Sequence, residues 1–234
     1  MPAPDPTVTA PPAEWAARAR RITVDYTTSA GVVHALHEVD AAVARGRLTV
    51  VAGPSGSGKS TLLRVFAGLQ RVVDGEVEVD GLAVTRARAG ARRRLRRRTM
   101  GVVLQDPADN LLTYLRSVEQ IELSARLRGA DPAEAPSLLE AVGLAGRARS
   151  FPSELSGGEQ QRVAFAAAAV GGPRLLLADE PTAELDGGAG ADLVATMRRL
   201  VERGATLLVA SHDTAVMDAA DDLLTLRDGR VATP

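Results

Sequence analysis

The chain has 234 residues, 45% of them hydrophobic, and its 28 basic and 29 acidic side chains leave a formal net charge of −1. This is the composition of a soluble globular protein with room for one domain and an inserted subdomain, and the near-neutral charge argues against general nucleic-acid binding. The lack of cysteine excludes disulfides and thiolate metal sites and fits a reducing compartment. No apolar run approaches the ~18 residues of a membrane span and no signal-peptide pattern opens the chain, so a membrane link is expected to come through a partner.

Residues 1–20, rich in Pro and Ala, read as a flexible lead-in, with a short helix expected around Trp15–Arg20. Trp15, the single tryptophan, reads as a packing anchor rather than a ligand contact. Arg21–Thr27 alternates as an antiparallel strand with Ile22, Val24 and Tyr26 on one face, and Val32–Val43 continues as hairpin material. Thr49–Ala52 is a short apolar, β-branched run, the pattern of a buried strand. A glycine-rich loop follows, and from Ser60 the spacing of Leu62, Leu63, Phe66 and Leu69 predicts a helix. Gly75–Gly81 alternates as another half-exposed strand.

Residues 86–98 hold eight arginines. They suit either a nucleic-acid or lipid-headgroup patch or a solvated helix that introduces the next strand. With no aromatics interleaved, the solvated helix is the preferred reading. Thr99–Gln105 is a buried-strand candidate ending in a polar residue. Residues 107–150 are mostly helical in pattern, including Val118–Arg128 and Leu138–Val142. Further on come an alanine-rich helix to Val170, a buried strand Leu175–Ala178, a helix Ala191–Arg203, a strand Thr206–Ala210, and a closing hairpin around Asp228-Gly229. The expected fold class is α/β: a core with a mixed sheet, an antiparallel β subdomain and an inserted helical subdomain. Domain organisation is read as the lead-in at 1–20 and one domain over 21–234, with the helical subdomain at about 107–162.

The chemistry centres on Gly53-Pro54-Ser55-Gly56-Ser57-Gly58-Lys59-Ser60-Thr61, placed between strand and helix. That order with that spacing is the phosphate-binding loop of nucleotide triphosphatases. Glycines let backbone N–H groups turn towards phosphate oxygens, and the helix N-terminus favours an anion. Lys59 would supply a compact charge to the outer phosphates and Ser60 a hydroxyl to Mg²⁺. Lys59 is the chain's single lysine among 28 basic residues, a choice that matters because ammonium and guanidinium are not interchangeable at a phosphate cradle.

Gln105, Asp179-Glu180 and His212 stand at the ends of apolar strands, where ligands of parallel α/β sheets gather. Asp179 fits a Mg²⁺-side carboxylate, and Glu180 a base or orienter for the attacking water. Taken alone, Asp179 suits a helix N-cap and His212 a capping or core position; in this company a γ-phosphate contact is favoured for His212.

Gly53–Ser60, Gln105, Leu155–Gln161 (Leu-Ser-Gly-Gly-Glu-Gln-Gln), Leu177–Thr182, Ala183–Asp186 and Ser211–Asp213 resemble, in order, the motifs of ABC-transporter ATP-binding subunits. The likeness runs from about Arg21 to the C-terminus. It implies ATP and Mg²⁺ as cofactors, with adenine stacked on Tyr26 and the phosphates wrapped by Gly53 to Thr61. The resemblance also implies that Ser60 and Gln105 reach Mg²⁺ and that Asp179 holds it. By the same resemblance Glu180 would be the catalytic carboxylate and His212 the γ-phosphate sensor. Ser156, Gly157, Gly158 and Glu159 would bind the ATP of a second copy in a head-to-tail sandwich, and Asp186 would lie in the loop that communicates across it. Ala167 and Glu184 depart from the common family pattern and bear on the strength of dimer contacts.

The stretches Asn110–Leu115 and Ile121–Gly129 resemble the lipoprotein-releasing and macrolide-exporter type, and the chain ends soon after its hairpin, without the C-terminal regulatory domain of sugar importers. The expected function is therefore an ATPase subunit that dimerises on ATP and powers a separate membrane permease, an exporter, from the cytoplasmic face of the membrane. No nucleic acid is expected among its partners. The alternative is an ATP-driven scaffold that signals through a membrane partner to cell-envelope enzymes. DNA-repair and ribosomal relatives are disfavoured, the first for want of a long coiled-coil insertion and the second because only one cassette is present.

Overall fold

The computed structural model describes residues 14–28 and 31–232; the first 13 residues of the expected lead-in lie outside them. The first described elements are two long antiparallel strands, β1 (Trp15–Thr28) and β2 (Gly31–Ala44), which pair with each other, and β1 also pairs with β4 (Asp74–Val79). The two-residue β5 (Leu82–Ala83) completes a four-stranded sheet in the order β2-β1-β4-β5. Trp15–Arg20 is strand, not the expected helix. Alanine favours helix locally, but Ala17 and Ala19 alternate with exposed Arg18 and Arg20, so the segment buries one face against the core and pairs its backbone with β4. Trp15 is half-buried at the strand's start.

The second sheet has six strands, in the order β10-β9-β3-β8-β7-β6. These are β3 (Leu48–Ala52), β6 (Met100–Val103), β7 (Leu175–Asp179), β8 (Leu207–Ala210), β9 (Asp222–Arg227) and β10 (Arg230–Val231). β9, β3, β8, β7 and β6 run parallel, and β10 turns back on β9. Every residue of β3 and β8 is buried, as expected of strands covered on both faces. Side chains alternate between two cores. Val50, Leu176 and Val209 face one with the helices, while Val51, Leu177 and Leu208 face the other. That second core contains the antiparallel sheet and helix α1 (Lys59–Phe66), whose Leu62, Leu63, Val65 and Phe66 are buried in it. Phe66, 1% exposed, is one such anchor, and burying a side chain of this size contributes about 1.5–3 kcal/mol.

Helix α2 (Ala89–Thr99) carries the arginine run and leads into β6, the expected solvated helix. Between β6 and β7 lie α3 (Ser117–Arg128), α4 (Ala135–Ala141) and α5 (Gly157–Ala169), which pack through Ile121, Leu139 and Phe165 on the first core. Helices α6 (Gly187–Glu202) and α7 (Thr214–Asp218) follow β7 and β8. The hairpin after β9 turns at Asp228 and Gly229, both with positive φ, the pairing that a two-residue turn of this kind requires. It braces the phosphate loop: Gly229 N–H donates to Ser57 O over 3.2 Å.

Candidate functional site

The parallel strands deliver the polar residues to one edge. β3 ends at Ala52, and Gly53–Gly58 then curls into the N-terminus of α1. Gly58, at the helix N-cap, has φ 103°, and a Cβ there would lie 2.5 Å from Ala35 O, so only glycine fits. The loop borders a cleft of about 480 Å³ whose walls also include His34, Gln105, Glu180 and His212. Pro54, Ser55, Gly56, Lys59, Ser60 and Thr61 all line it, while Ser57 is buried beneath the loop.

Lys59 is 6% exposed, and its ammonium is fully engaged. It donates to Gly53 O (2.8 Å) and Pro54 O (3.1 Å) and lies 3.1 Å from Glu180 Oε1. Three donors meet three oxygens, the whole capacity of an ammonium. Ser60 Oγ donates to Asp179 Oδ1 over 2.9 Å. Burial pushes the Asp179 carboxyl above its usual range; the Ser60 hydroxyl pulls the other way, and neighbouring Glu180 adds to the rise.

Glu180 has φ 45°, uncommon for a residue with a side chain, and is held there by donating its N–H to Ala210 O over 2.9 Å. The turn directs its carboxylate at both Lys59 and His212: Glu180 Oε2 accepts from His212 Nδ1 at 2.9 Å. The carboxylate thereby assigns Nδ1 as the protonated nitrogen and leaves Nε2 available.

Gln105 is exposed on the cleft wall. Tyr26 is half-buried on β1, its hydroxyl 3.5 Å from Thr61 Oγ1, beside the cleft entrance formed by Val33 and His34. Tyr26, Gly53, Ser57 and Asp179 adjoin this cleft without lining it, and Ser156, Gly157, Gly158, Glu159 and Asp186 do not line it either. Ser156 caps α5, with its Oγ accepting from Glu159 N–H (3.2 Å) and its own N–H donating to Glu159 Oε2 (2.9 Å). Those bonds, chiefly the one from the Ser156 backbone, hold the Glu159 carboxyl below its usual range despite partial burial. Asp186 likewise caps α6, accepting from Ala189 N–H over 2.8 Å.

Sequence reasoning assigned no role to Gln161 and Asn110. Gln161 is wholly buried and donates to Leu104 O (3.0 Å), while accepting from Asn110 Nδ2 (3.1 Å). Asn110 also accepts from Leu104 N–H at 2.7 Å, so the pair fixes the backbone just before Gln105. A glutamine on the inner face of an alanine-rich helix was the available signal.

Among the described residues, no cluster of three His, Cys, Asp or Glu could hold a metal by itself. One hydroxyl beside one carboxylate suits Mg²⁺, which takes few protein ligands and completes its shell with substrate phosphates and water. Ser60 and Asp179 therefore fit that ion.

The ABC transporter family model matches residues 36–183. The lipoprotein-releasing system ATP-binding protein LolD of Hyphomonas neptunium is 39% identical over 211 residues, covering 88% of this chain and 92% of that protein. The macrolide export ATP-binding/permease protein MacB 1/2 of Paracoccus denitrificans is 37% identical over 218 residues, 92% of this chain, and the chain spans 32% of that protein's length. Among solved structures, a dimeric post-hydrolysis state of the ATP-binding cassette MJ0796 bound to ADP and Pi matches with TM-score 0.81 and 31% identity, over 93% of this chain and 97% of the other. With the fold, the motifs and these likenesses in agreement, the chain belongs to the ABC transporter family and is one of its ATPase cassettes.

Proposed function

We propose that the chain binds Mg-ATP in the cleft bordered by Gly53–Thr61, hydrolyses it as a head-to-tail homodimer, and drives a separate membrane permease in the export direction from the cytoplasmic face. The observation that carries this reading is the convergence of Lys59, Ser60, Glu180 and His212, from three separate strand ends, on that cleft, with Asp179 accepting from Ser60 behind it. Lys59 and the loop N–H groups hold the β- and γ-phosphates. Ser60 and Asp179 hold Mg²⁺, with Gln105 reaching it from the cleft wall; when bound, the ion neutralises charge on the transferred phosphoryl group. Adenine stacks on Tyr26. Glu180 orients the attacking water and takes up its proton, while His212, fixed by Glu180, turns Nε2 to the γ-phosphate.

The dimer is supported by the signature segment: Ser156 and Gly157 are exposed at the N-terminus of α5 and do not line this chain's own cleft. Asp186, capping α6, belongs to the loop that would sense the opposite nucleotide. Export is supported by the likeness of residues 110–129 to the lipoprotein-releasing and macrolide-exporter type.

The test is reconstitution. The chain is purified from membranes with its attached permease, placed in vesicles, and assayed for ATP-dependent substrate movement. Outward movement that stops with Glu180→Gln supports the whole reading. Turnover with movement inward contradicts the direction, and ATP-dependent activation of an envelope enzyme without movement of cargo replaces transport by signalling.

A further inference from the structure

Helix α2 carries a charge density unlike the rest of the chain. Residues 86–98 contain eight of the 28 basic residues, and no acidic residue occurs between Asp80 and Asp106. The other 20 basic residues face all 29 acidic ones, so this basic segment stands on an otherwise acidic protein.

Two arginines of α2 have internal work. Arg96 donates to Ala67 O (3.3 Å) and Gly68 O (3.2 Å), tying α2 to the end of α1, and Arg92 lies against Gly68. Together with buried Leu95 they form the inner face. Arg93, Arg94, Arg97 and Arg98 are all exposed on the outer face, and none makes an ion pair among the described residues. Their spacing stacks like charges at i and i+4, Arg93 with Arg97 and Arg94 with Arg98, which weakens an isolated helix. The N-cap, Arg88, offers no side-chain hydrogen bond, and no acidic residue occupies the first turn. Local rules are broken here without a compensating partner inside the chain, which is the mark of a functional surface.

The exposed apolar residues Leu69, Val102 and Leu104 line a separate groove with Ser60 and Asp179, to which no residue of α2 contributes. Guanidinium forks match phosphate oxygens two at a time. No aromatic in this segment offers a base a stacking surface, which disfavours a nucleic-acid strand. An anionic bilayer surface supplies a dense array of phosphates for the arginines.

We propose that the outer face of α2 is a docking surface for anionic phospholipid headgroups, with Arg93, Arg94, Arg97 and Arg98 as the phosphate contacts. It deepens the reading above, since a cassette that works through a permease meets a bilayer, and it gives the chain a direct hold on that bilayer. Each arginine near an anionic surface adds to the attraction, and the effect fades within a Debye length.

The experiment is sedimentation of the purified full chain with phosphatidylcholine vesicles, with and without phosphatidylglycerol, at low and high salt. The chain is compared with R93Q/R94Q/R97Q/R98Q and with R93K/R94K/R97K/R98K. Glutamine keeps the helix propensity of arginine, and lysine keeps the charge. The wild-type chain should sediment with the anionic vesicles only, in a salt-sensitive way. The glutamine variant should lose at least about tenfold in affinity and the lysine variant should retain most of it. Equal binding to neutral vesicles, wild-type affinity in the glutamine variant, or tighter binding to a DNA duplex than to the anionic vesicles would each overturn the proposal. Phosphate release is measured on the same samples without vesicles. An inactive chain that still sediments refutes the catalytic reading alone, and an active chain that does not sediment refutes the lipid surface alone.

Discussion

Lys59 Nζ and Glu180 Oε1 lie 3.1 Å apart, one at the start of the helix after β3 and the other just past the end of β7. The contact joins the residue that would hold phosphate to the residue that would act on water, and it sets the reach that each side chain needs. Lys59 also meets two loop carbonyls at 2.8 and 3.1 Å, so its point charge is seated among oxygens in a buried socket. A planar guanidinium is longer and directs its donors along a fork, and it cannot take this place without moving the loop. Lys59→Arg is therefore expected to raise the Kd for ATP and to lower kcat/KM by about 10²-fold or more despite the conserved charge, the scale of a lost transition-state contact. Phosphate release at the wild-type rate would refute the seat assigned to this lysine.

Asp179 predicts an opposition between stability and activity. Burial raises its carboxyl above the usual range, so the folded chain binds a proton more tightly than the unfolded one. The cost of ionised Asp179 is then fully present above its folded pKa. It is relieved as pH falls through that value, and it is gone below the unfolded value of about 3.9. Asp179→Asn keeps an acceptor for the Ser60 hydroxyl and removes the buried charge. In the absence of added nucleotide the variant should melt higher by at most about 3 °C at neutral pH, with the gap closing towards pH ~4. Its Mg²⁺-dependent hydrolysis should be lost. Melting curves across that pH range would count against this account if the gap were reversed or independent of pH.

Much of this site could be read from residue order alone because the strands that carry it are so uniformly apolar. Leu48–Ala52 and Leu207–Ala210 are buried throughout, so a polar residue directly after such a run marks the sheet edge. Gln105, Asp179 and His212 were placed that way. What stayed hidden depends on tertiary contact. Nothing local says that Glu180 adopts φ 45° or that His212 orders its carboxylate, since both follow from the pairing of β7 with β8. The alanines of Trp15–Arg20 fit a helix by propensity, and the partner strands on either side, β2 and β4, decide for β structure. Gln161 gave no signal beyond its position, because its partners Leu104 and Asn110 lie in another segment.

Tyr26 stands beside Thr61, with its hydroxyl 3.5 Å from the threonine Oγ1 and its ring half-exposed. If adenine stacks on that ring, Tyr26→Ala should weaken nucleotide binding by about 1–3 kcal/mol, and by a similar factor for ATP and GTP, because stacking reads a π-face rather than base edges. Titration of a fluorescent nucleotide checks this. An unchanged Kd would return Tyr26 to a packing role in the antiparallel sheet, where it borders the second core.

The central claim is that Glu180 acts on water while two copies of the chain enclose ATP between Gly53–Ser60 of one and Ser156–Gly158 of the other. Glu180→Gln keeps the length and the acceptor oxygen for His212 but removes the charge, and should slow hydrolysis by roughly 10²–10⁴-fold. Lys59, Ser60, Asp179 and the loop N–H groups remain to bind Mg-ATP, so the unhydrolysed nucleotide should hold the two copies together. The direct measurement is the molar mass of Glu180→Gln by sizing chromatography with light scattering, with Mg-ATP and without it, beside a phosphate-release assay. The account predicts a dimer with Mg-ATP, a monomer without it, and turnover reduced by at least about a hundredfold. A variant that hydrolyses ATP at the wild-type rate, or one that binds ATP without turnover and stays monomeric, would contradict it.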